Sequence, residues 1–278
     1  VRKKIIVMRI IKSKITSVIL LQLGVALATT GFVGSALAFD PKAKSADVSE
    51  EQGPLDLFKF GFKAYKNGEK KEAIKAYKYA AEKGHRGARW AMANMYAFGD
   101  GVREDDYEAF KNFQKITRQG VEPGSEDVGY FVNALMSLAD YYQRGISNSP
   151  VKVNYKAARQ LYFQAASAFG LPEAQYRLGQ MILDGKGGGD NMRQAKKWLN
   201  RARAGGHASA SAVYGNILFE EGQTVRGLAL ITSAYERAAP NDKVWILQLQ
   251  EQAFALAEEV DRRAAVVVAD NMLKNGMN

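Results

Sequence analysis

The stretch AAEKGHRGARWAMANMYAFGDGV, residues 80–102, decides the fold. It reads as two helices that meet at Gly84, the second broken off by Gly99 and Gly101. Ala73, Ala80 and Ala81 precede Gly84, and Ala88, Met92 and Ala93 follow it. Glycine stops a helix where the backbone must turn left-handed. Alanine at helical spacing removes the bulk that would hold two helices apart.

The same order returns downstream. Ala109 to Gly120, Ala195 to Gly206 and Gly227 to Ala238 repeat the segment before the turn, with Ala238 standing in for glycine in the last. Ala158 to Gly170 repeats it with one extra residue. After the turn, Ala174, Leu178, Gly179 and Gly185 follow Gly170, while Ala210, Tyr214 and Gly215 follow Gly206, with Glu221 where the loop glycine would fall. The second unit carries an insertion, VEPGSEDVGY at 121–130, before Ala134, Leu138, Ala139 and Gly145 resume the order. LDLFKFGFKAYKNG at 55–68 matches the second half alone, so the array opens on a lone helix. Self-similarity at this period is the mark of stacked helical hairpins. Large residues alternate with the small ones: Tyr77, Phe113, Tyr162 and Trp198 on first helices, Met95, Tyr141, Met181 and Ile217 on second helices. One hairpin cannot bury both its faces, so its neighbours supply the rest. The spacing predicts an all-α, right-handed α-solenoid of antiparallel helix pairs over 55–240. A C-terminal helical cap over 241–278 follows, from VWILQLQEQAFALAEEVDRRAAVVVADNML.

Residues 1–38 stand apart from that array. Arg2, Lys3, Lys4, Arg9, Lys12 and Lys14 precede an apolar run from Ile15 to Val33, and SALAFD follows, with Ala36 and Ala38 at the small-residue positions before Phe39. This is the pattern of a secretory signal peptide cut after Ala38. The alternative reading of the same run is an uncleaved membrane anchor. Residues 39–54 are polar and proline-bounded, a flexible linker. Export to the periplasm, with no membrane insertion after cleavage, is the expectation.

Cleavage also changes the charge. The chain has 39 basic and 29 acidic residues; without the six in the leader, 33 basic residues remain. That small excess gives no reason to expect nucleic acid as a partner. Zero cysteines exclude disulfides, thiolate metal sites and a cysteine nucleophile.

Residues that could carry chemistry are few. His85 and His207 are the two histidines, each directly after a turn glycine. As repeat residues they start the second helix. As titratable ones they are candidates for a pH response, since a cation at a helix N-terminus is unfavourable. GKGGGD at 185–190 lacks the order of a phosphate-binding loop and follows no strand, so a flexible inter-repeat loop is expected. No metal, cofactor or catalytic set is predicted. A helical solenoid instead offers an extended concave face for protein capture. Lys71, Lys75, Lys78, Tyr79, Arg159 and Lys196, on first helices, are the candidate contacts there.

EAIKAYKYAAEKGHRGARWAMANMYAFGDGV resembles a SEL-type repeat, a relative of the tetratricopeptide repeat, and DGKG at 184–187 repeats its glycine loop. With the leader, GVEPGSEDVGYFVNAL and GNILFEEGQTVRGLAL, the chain is similar to ExoR-type proteins, periplasmic regulators of alphaproteobacteria. The resemblance implies a repressor that binds the sensing domain of a membrane histidine kinase and holds a two-component system inactive. It also implies release by acid or by a periplasmic protease, with changes in exopolysaccharide, motility and host-association genes. An accessory or hydrolytic protein of envelope metabolism is the alternative reading.

Overall fold

The computed structural model describes residues 52–275, and these form twelve α-helices with no strand among them. Ala36, Ala38 and Phe39 lie outside the described residues, as does most of the 39–54 segment. In chain order the helices are α1 (Pro54–Lys66), α2 (Lys70–Glu82), α3 (Arg86–Phe98), α4 (Asp106–Arg118), α5 (Val128–Arg144) and α6 (Tyr155–Ala168). They continue with α7 (Pro172–Leu183), α8 (Met192–Ala204), α9 (Ala208–Glu220), α10 (Thr224–Arg237), α11 (Pro240–Leu256) and α12 (Glu259–Asn275). The even-numbered helices α2 to α10 are the first helices of five pairs, and α3 to α11 are their second helices.

Local chemistry sets the boundaries. Gly84, Gly120, Gly170 and Gly206 have φ of 92°, 64°, 64° and 88°, and a Cβ at any of them would meet nothing within 4 Å. Backbone conformation, not crowding, selects glycine at these turns. The longer loops end on side-chain caps: Asp105, Asn154 and Asn191 each accept an N–H from the first turn of α4, α6 and α8.

Crowding selects the small residues at the seams, where a second helix meets the next first helix. A Cβ on Gly61 would meet the Tyr77 ring at 2.7 Å and the Ala73 carbonyl at 3.2 Å; Ala93 packs in one cluster with Ala109, and Ala139 packs with Ala158. A Cβ on Gly179 would meet the Leu199 side chain at 2.9 Å. At the last seam the backbones touch: a Cβ on Gly215 would sit 2.8 Å from the Gly227 carbonyl oxygen, and one on Gly227 would sit 2.7 Å from that of Gly215. The large residues between them, from Tyr77 to Trp198 on first helices and Met95 to Ile217 on second helices, are all buried.

The departures from the repeat resolve simply. Where the glycine loop is missing after Phe219, a short turn through Gly222 (φ 86°) joins α9 to α10, and the seam is kept. The insertion ends as helix, since α5 begins at Val128. Its Tyr130 ring stacks back on α3, covering Gly87 and lying 5.6 Å from Trp90, and Asp127 pairs with Arg86 at 3.5 Å. The GKGGGD loop is packed where flexibility was expected. A Cβ on Gly187 would sit 2.3 Å from the Tyr155 carbonyl oxygen, and Lys186 lies over the Tyr155 ring.

The two ends are finished differently. On α1, exposed Asp56 and Lys63 occupy the places where α3 to α9 bury Ala88, Ala134, Ala174, Ala210 and the large residues two turns beyond, Met95, Tyr141, Met181 and Ile217. The segment read as a cap divides in two. α11 buries Ile246, Leu249 and Ala253 and completes the fifth pair, while α12 turns back and packs along α10.

Candidate protein-binding face

Five first helices in one register place equivalent residues on one strip of surface. The positions thirteen, nine and five residues before each turn glycine are spaced by one helical turn and share a face. On α2 they hold Lys71, Lys75 and Tyr79; on α4, Tyr107, Lys111 and Lys115; on α8, Arg193, Lys197 and Arg201. With its one extra residue, α6 presents Lys156, Gln160 and Gln164 there. None of these twelve is buried, and none is a carboxylate. On α10 the same positions are Val225, Ala229 and Ser233, and the last two are buried completely. α12 is the helix that packs on α10 at this end of the array.

The strip differs along its length. Beside it on α2 and α4 stand Glu72, Glu82, Asp106 and Glu108, and Lys111 is bound to Glu108. Helices α6 and α8 contain no acidic residue. Between them Phe163, 52% exposed, stands edge-on to Trp198 at 5.9 Å, and the Arg201 guanidinium lies over the Trp198 ring at 4.8 Å. The α8 strip itself borders a shallow hollow of about 480 Å³, lined by Arg193, Lys196 and Lys197 together with Asn200, Tyr214 and Glu221.

The sequence-predicted contacts divide accordingly. Lys71, Lys75 and Tyr79 lie on the strip, and Lys78 is exposed beside it. Arg159 and Lys196 are half-buried and engaged within the chain, Arg159 on the Gly189 carbonyl and Lys196 on Glu221. Arg193, Lys197, Arg201 and Phe163 escaped the sequence reading. Applying the α2 offsets to α8 would have found three of them.

Beneath the face, a polar network ties the repeats together. Tyr162 donates to Asp140 and accepts from Gln143 Nε2 at 2.9 Å. Burial raises the Asp140 carboxyl above its ordinary range although Tyr162 and Arg177 pull it down. Burial also acts to raise Glu173, but the hydrogen bond from His207 and the charge of Arg177 outweigh it and hold that carboxyl at about 2.

Both histidines cap second helices. His85 Nδ1 accepts the Ala88 N–H and His207 Nδ1 accepts the Ala210 N–H, each at 3.1 Å. Their other surroundings differ. His207 Nε2 lies 2.7 Å from Glu173 and its ring is 4.4 Å from Tyr176. His85 stacks on Phe58 of α1 at 4.3 Å, and burial lowers its pKa against the opposing charge of Asp127. Among the described residues no group of three His, Asp or Glu side chains is placed to hold a metal ion. No described helix is long and apolar enough to cross a membrane. A hollow of about 850 Å³ lies between the loops at 103–106 and 145–149, and its Asp106 is already held by Arg144 and Tyr141.

Comparison with known proteins accounts for the architecture. The Sel1 repeat family model matches residues 87–121, 132–168 and 172–207, each match spanning a second helix and the first helix it packs against. A solved protective antigen of uropathogenic Escherichia coli, c5321, which displays an SLR fold, superposes with a TM-score of 0.63 at 22% identity over 81% of this chain. The chain spans only 46% of that protein. A Sel1 repeat protein from Oxalobacter formigenes gives a TM-score of 0.56 at 20% identity, covering 80% of this chain and 86% of that one. The chain is thus a Sel1-repeat solenoid, a class that works through protein–protein contact. Its closer kinship is by sequence. It is 61% identical over 252 residues to the exopolysaccharide production negative regulator of Rhizobium leguminosarum bv. viciae, covering 91% of this chain and 92% of that protein. It is 60% identical over 251 residues to the same-named protein of Rhizobium meliloti (strain 1021), covering 90% and 92%. The chain belongs to this family of exopolysaccharide production negative regulators.

Proposed function

We propose that this chain restrains exopolysaccharide production from the periplasm by binding the sensing domain of a membrane histidine kinase and holding it in its inactive state. The observation that carries the reading is the 61% identity to a named negative regulator across nine-tenths of both chains. A repressor that acts by occupancy needs only a higher affinity for the inactive kinase, and a solenoid face supplies the contact without a reaction centre. Acid, or a periplasmic protease, relieves the repression by lowering the amount of folded repressor. Motility and host-association genes follow the same kinase. The relatives are named for regulation, and the chain binds its partner without transforming it.

The test is crosslinking in intact cells at neutral and at acidic pH, followed by identification of the captured membrane protein. Recovery of a sensor kinase at neutral pH, with loss at acidic pH and a rise in exopolysaccharide on deletion of the gene, supports the reading. A deletion strain with unchanged exopolysaccharide overturns it.

A further inference from the structure

The strip of first-helix surface already carries one occupant at its far end, and that occupant is a helix. On α10 the strip is Val225, Ala229 and Ser233, and α12 lies along α10 with Ala265 and Ala269, one turn apart, buried. Small residues on both sides let the two backbones approach. One repeat earlier, the strip on α8 has the same spacing but the opposite chemistry. Arg193, Lys197 and Arg201 stand one turn apart, all exposed, on a helix with no acidic residue. Arg193 and Lys197 make no ion pair among the described residues, whereas Lys196 next to them is satisfied by Glu221. The neighbouring α6 also lacks any carboxylate and turns Phe163 outward against Trp198. Long cations exclude a close-packed alanine helix like α12 from this place. They fit a helix that brings carboxylates at one-turn spacing and an apolar side chain for the aromatic step.

We infer that the α6–α8 face, centred on Arg193, Lys197, Arg201 and Phe163, is the docking site for an acidic amphipathic helix of the protein partner. Charge complementarity selects this part of the strip, because α6 and α8 carry no carboxylate of their own and the nearby Glu221 is bound to Lys196, whereas α2 and α4 carry carboxylates among their lysines. The α12 arrangement selects a helix over other anionic polymers, since the chain itself lays one along the adjoining repeat. The inference rests on the reading that the chain works by holding a protein partner, and narrows it to a surface.

The experiment places a photoreactive amino acid at Phe163 or Lys197 in the full chain in its native bacterium, with Phe62 on α1 and Val244 on α11 as controls, both also exposed. Irradiation should give an adduct from Phe163 and Lys197 but not from Phe62 or Val244, mapping to an acidic helical segment of a membrane protein. The double variant Arg193→Glu, Lys197→Glu should lower that adduct about tenfold, with the thermal midpoint unchanged. Arg193→Lys with Lys197→Arg should restore it. If a sensor kinase is captured only from Phe62 or Val244, the repressor reading stands and this surface is wrong. If Phe163 captures an acidic helix of a different protein, the surface stands and the kinase is wrong. No protein adduct at Phe163, or one only with anionic polysaccharide, overturns the inference.

Discussion

At Gly84 and Gly206 the chain turns left-handed, and the histidine that follows accepts the N–H three residues on through Nδ1. That bond exists only while Nδ1 carries no proton. For His85, burial against Phe58 lowers the pKa below its usual 6.5, with Asp127 opposing. The sign follows from linkage. As pH falls through 6.5 the unfolded chain takes up the proton before the folded one, so stability is complete above 6.5 and declines toward the lowered folded value. Glu173 acts in the same direction further down, its contribution fading between 4.5 and about 2. Asp140, raised by burial, acts in the opposite direction, since its protonation relieves a cost of folding. The expected outcome is that His85→Asn, which keeps a capping oxygen but does not titrate, shrinks the drop in melting temperature between pH 7.5 and pH 5.5. An equal drop in both proteins would exclude His85 as the source of acid sensitivity.

Helices in this chain are held together through two kinds of glycine, and substitution separates them. Gly120 turns left-handed in open space, whereas Gly215 is helical and pressed on the Gly227 carbonyl. Gly120→Ala should cost ~1–2 kcal/mol from backbone strain, and Gly120→Asn distinctly less, because asparagine tolerates that conformation. Gly215→Ala should cost ~1–3 kcal/mol or more from overpacking, and Gly215→Asn no less than alanine. Urea unfolding midpoints of the four variants check both statements. The same contrast explains what the sequence made legible. Turn glycines and seam alanines recur at a fixed period, so Gly84, Ala93 and Ala109 could be read together. The docking of Tyr130 on Gly87 recurs nowhere and left no periodic trace. Nor did the return of α12 to α10, because the buried face of an amphipathic helix does not name the surface it meets. On the first-helix face, Lys71, Lys75 and Tyr79 were legible. Arg193, Lys197 and Arg201 were not, because a surface cation taken singly looks like any solubilising charge, and its meaning comes from register with the other first helices.

A stack in which each pair touches only its neighbours has stability that is a sum of local terms, and injury at one end stays at that end. The described part of this chain tests that at α12, whose packing covers Ala229 and Ser233 on α10. Ending the chain after Leu256 removes α12 while leaving the fifth pair intact, and uncovers a strip that carries no charge to welcome water. Hydrogen exchange followed by mass spectrometry should then show faster exchange in α10 and α11, smaller changes in α9, and unaltered protection in α1 to α4. Uniform loss of protection would mean that the array unfolds as one cooperative unit and that α12 stabilises all of it. Protection unchanged even in α10 would mean that the fifth pair is stable without its cover. The expected gradient has a functional consequence. The basic face of α8 adjoins the repeat that α12 covers, so truncation should also weaken partner binding while leaving α2, with Lys71 and Lys75, as well ordered as before. Binding and exchange measured on the same truncated protein therefore tell whether the partner depends on the C-terminal half of the solenoid or on its beginning.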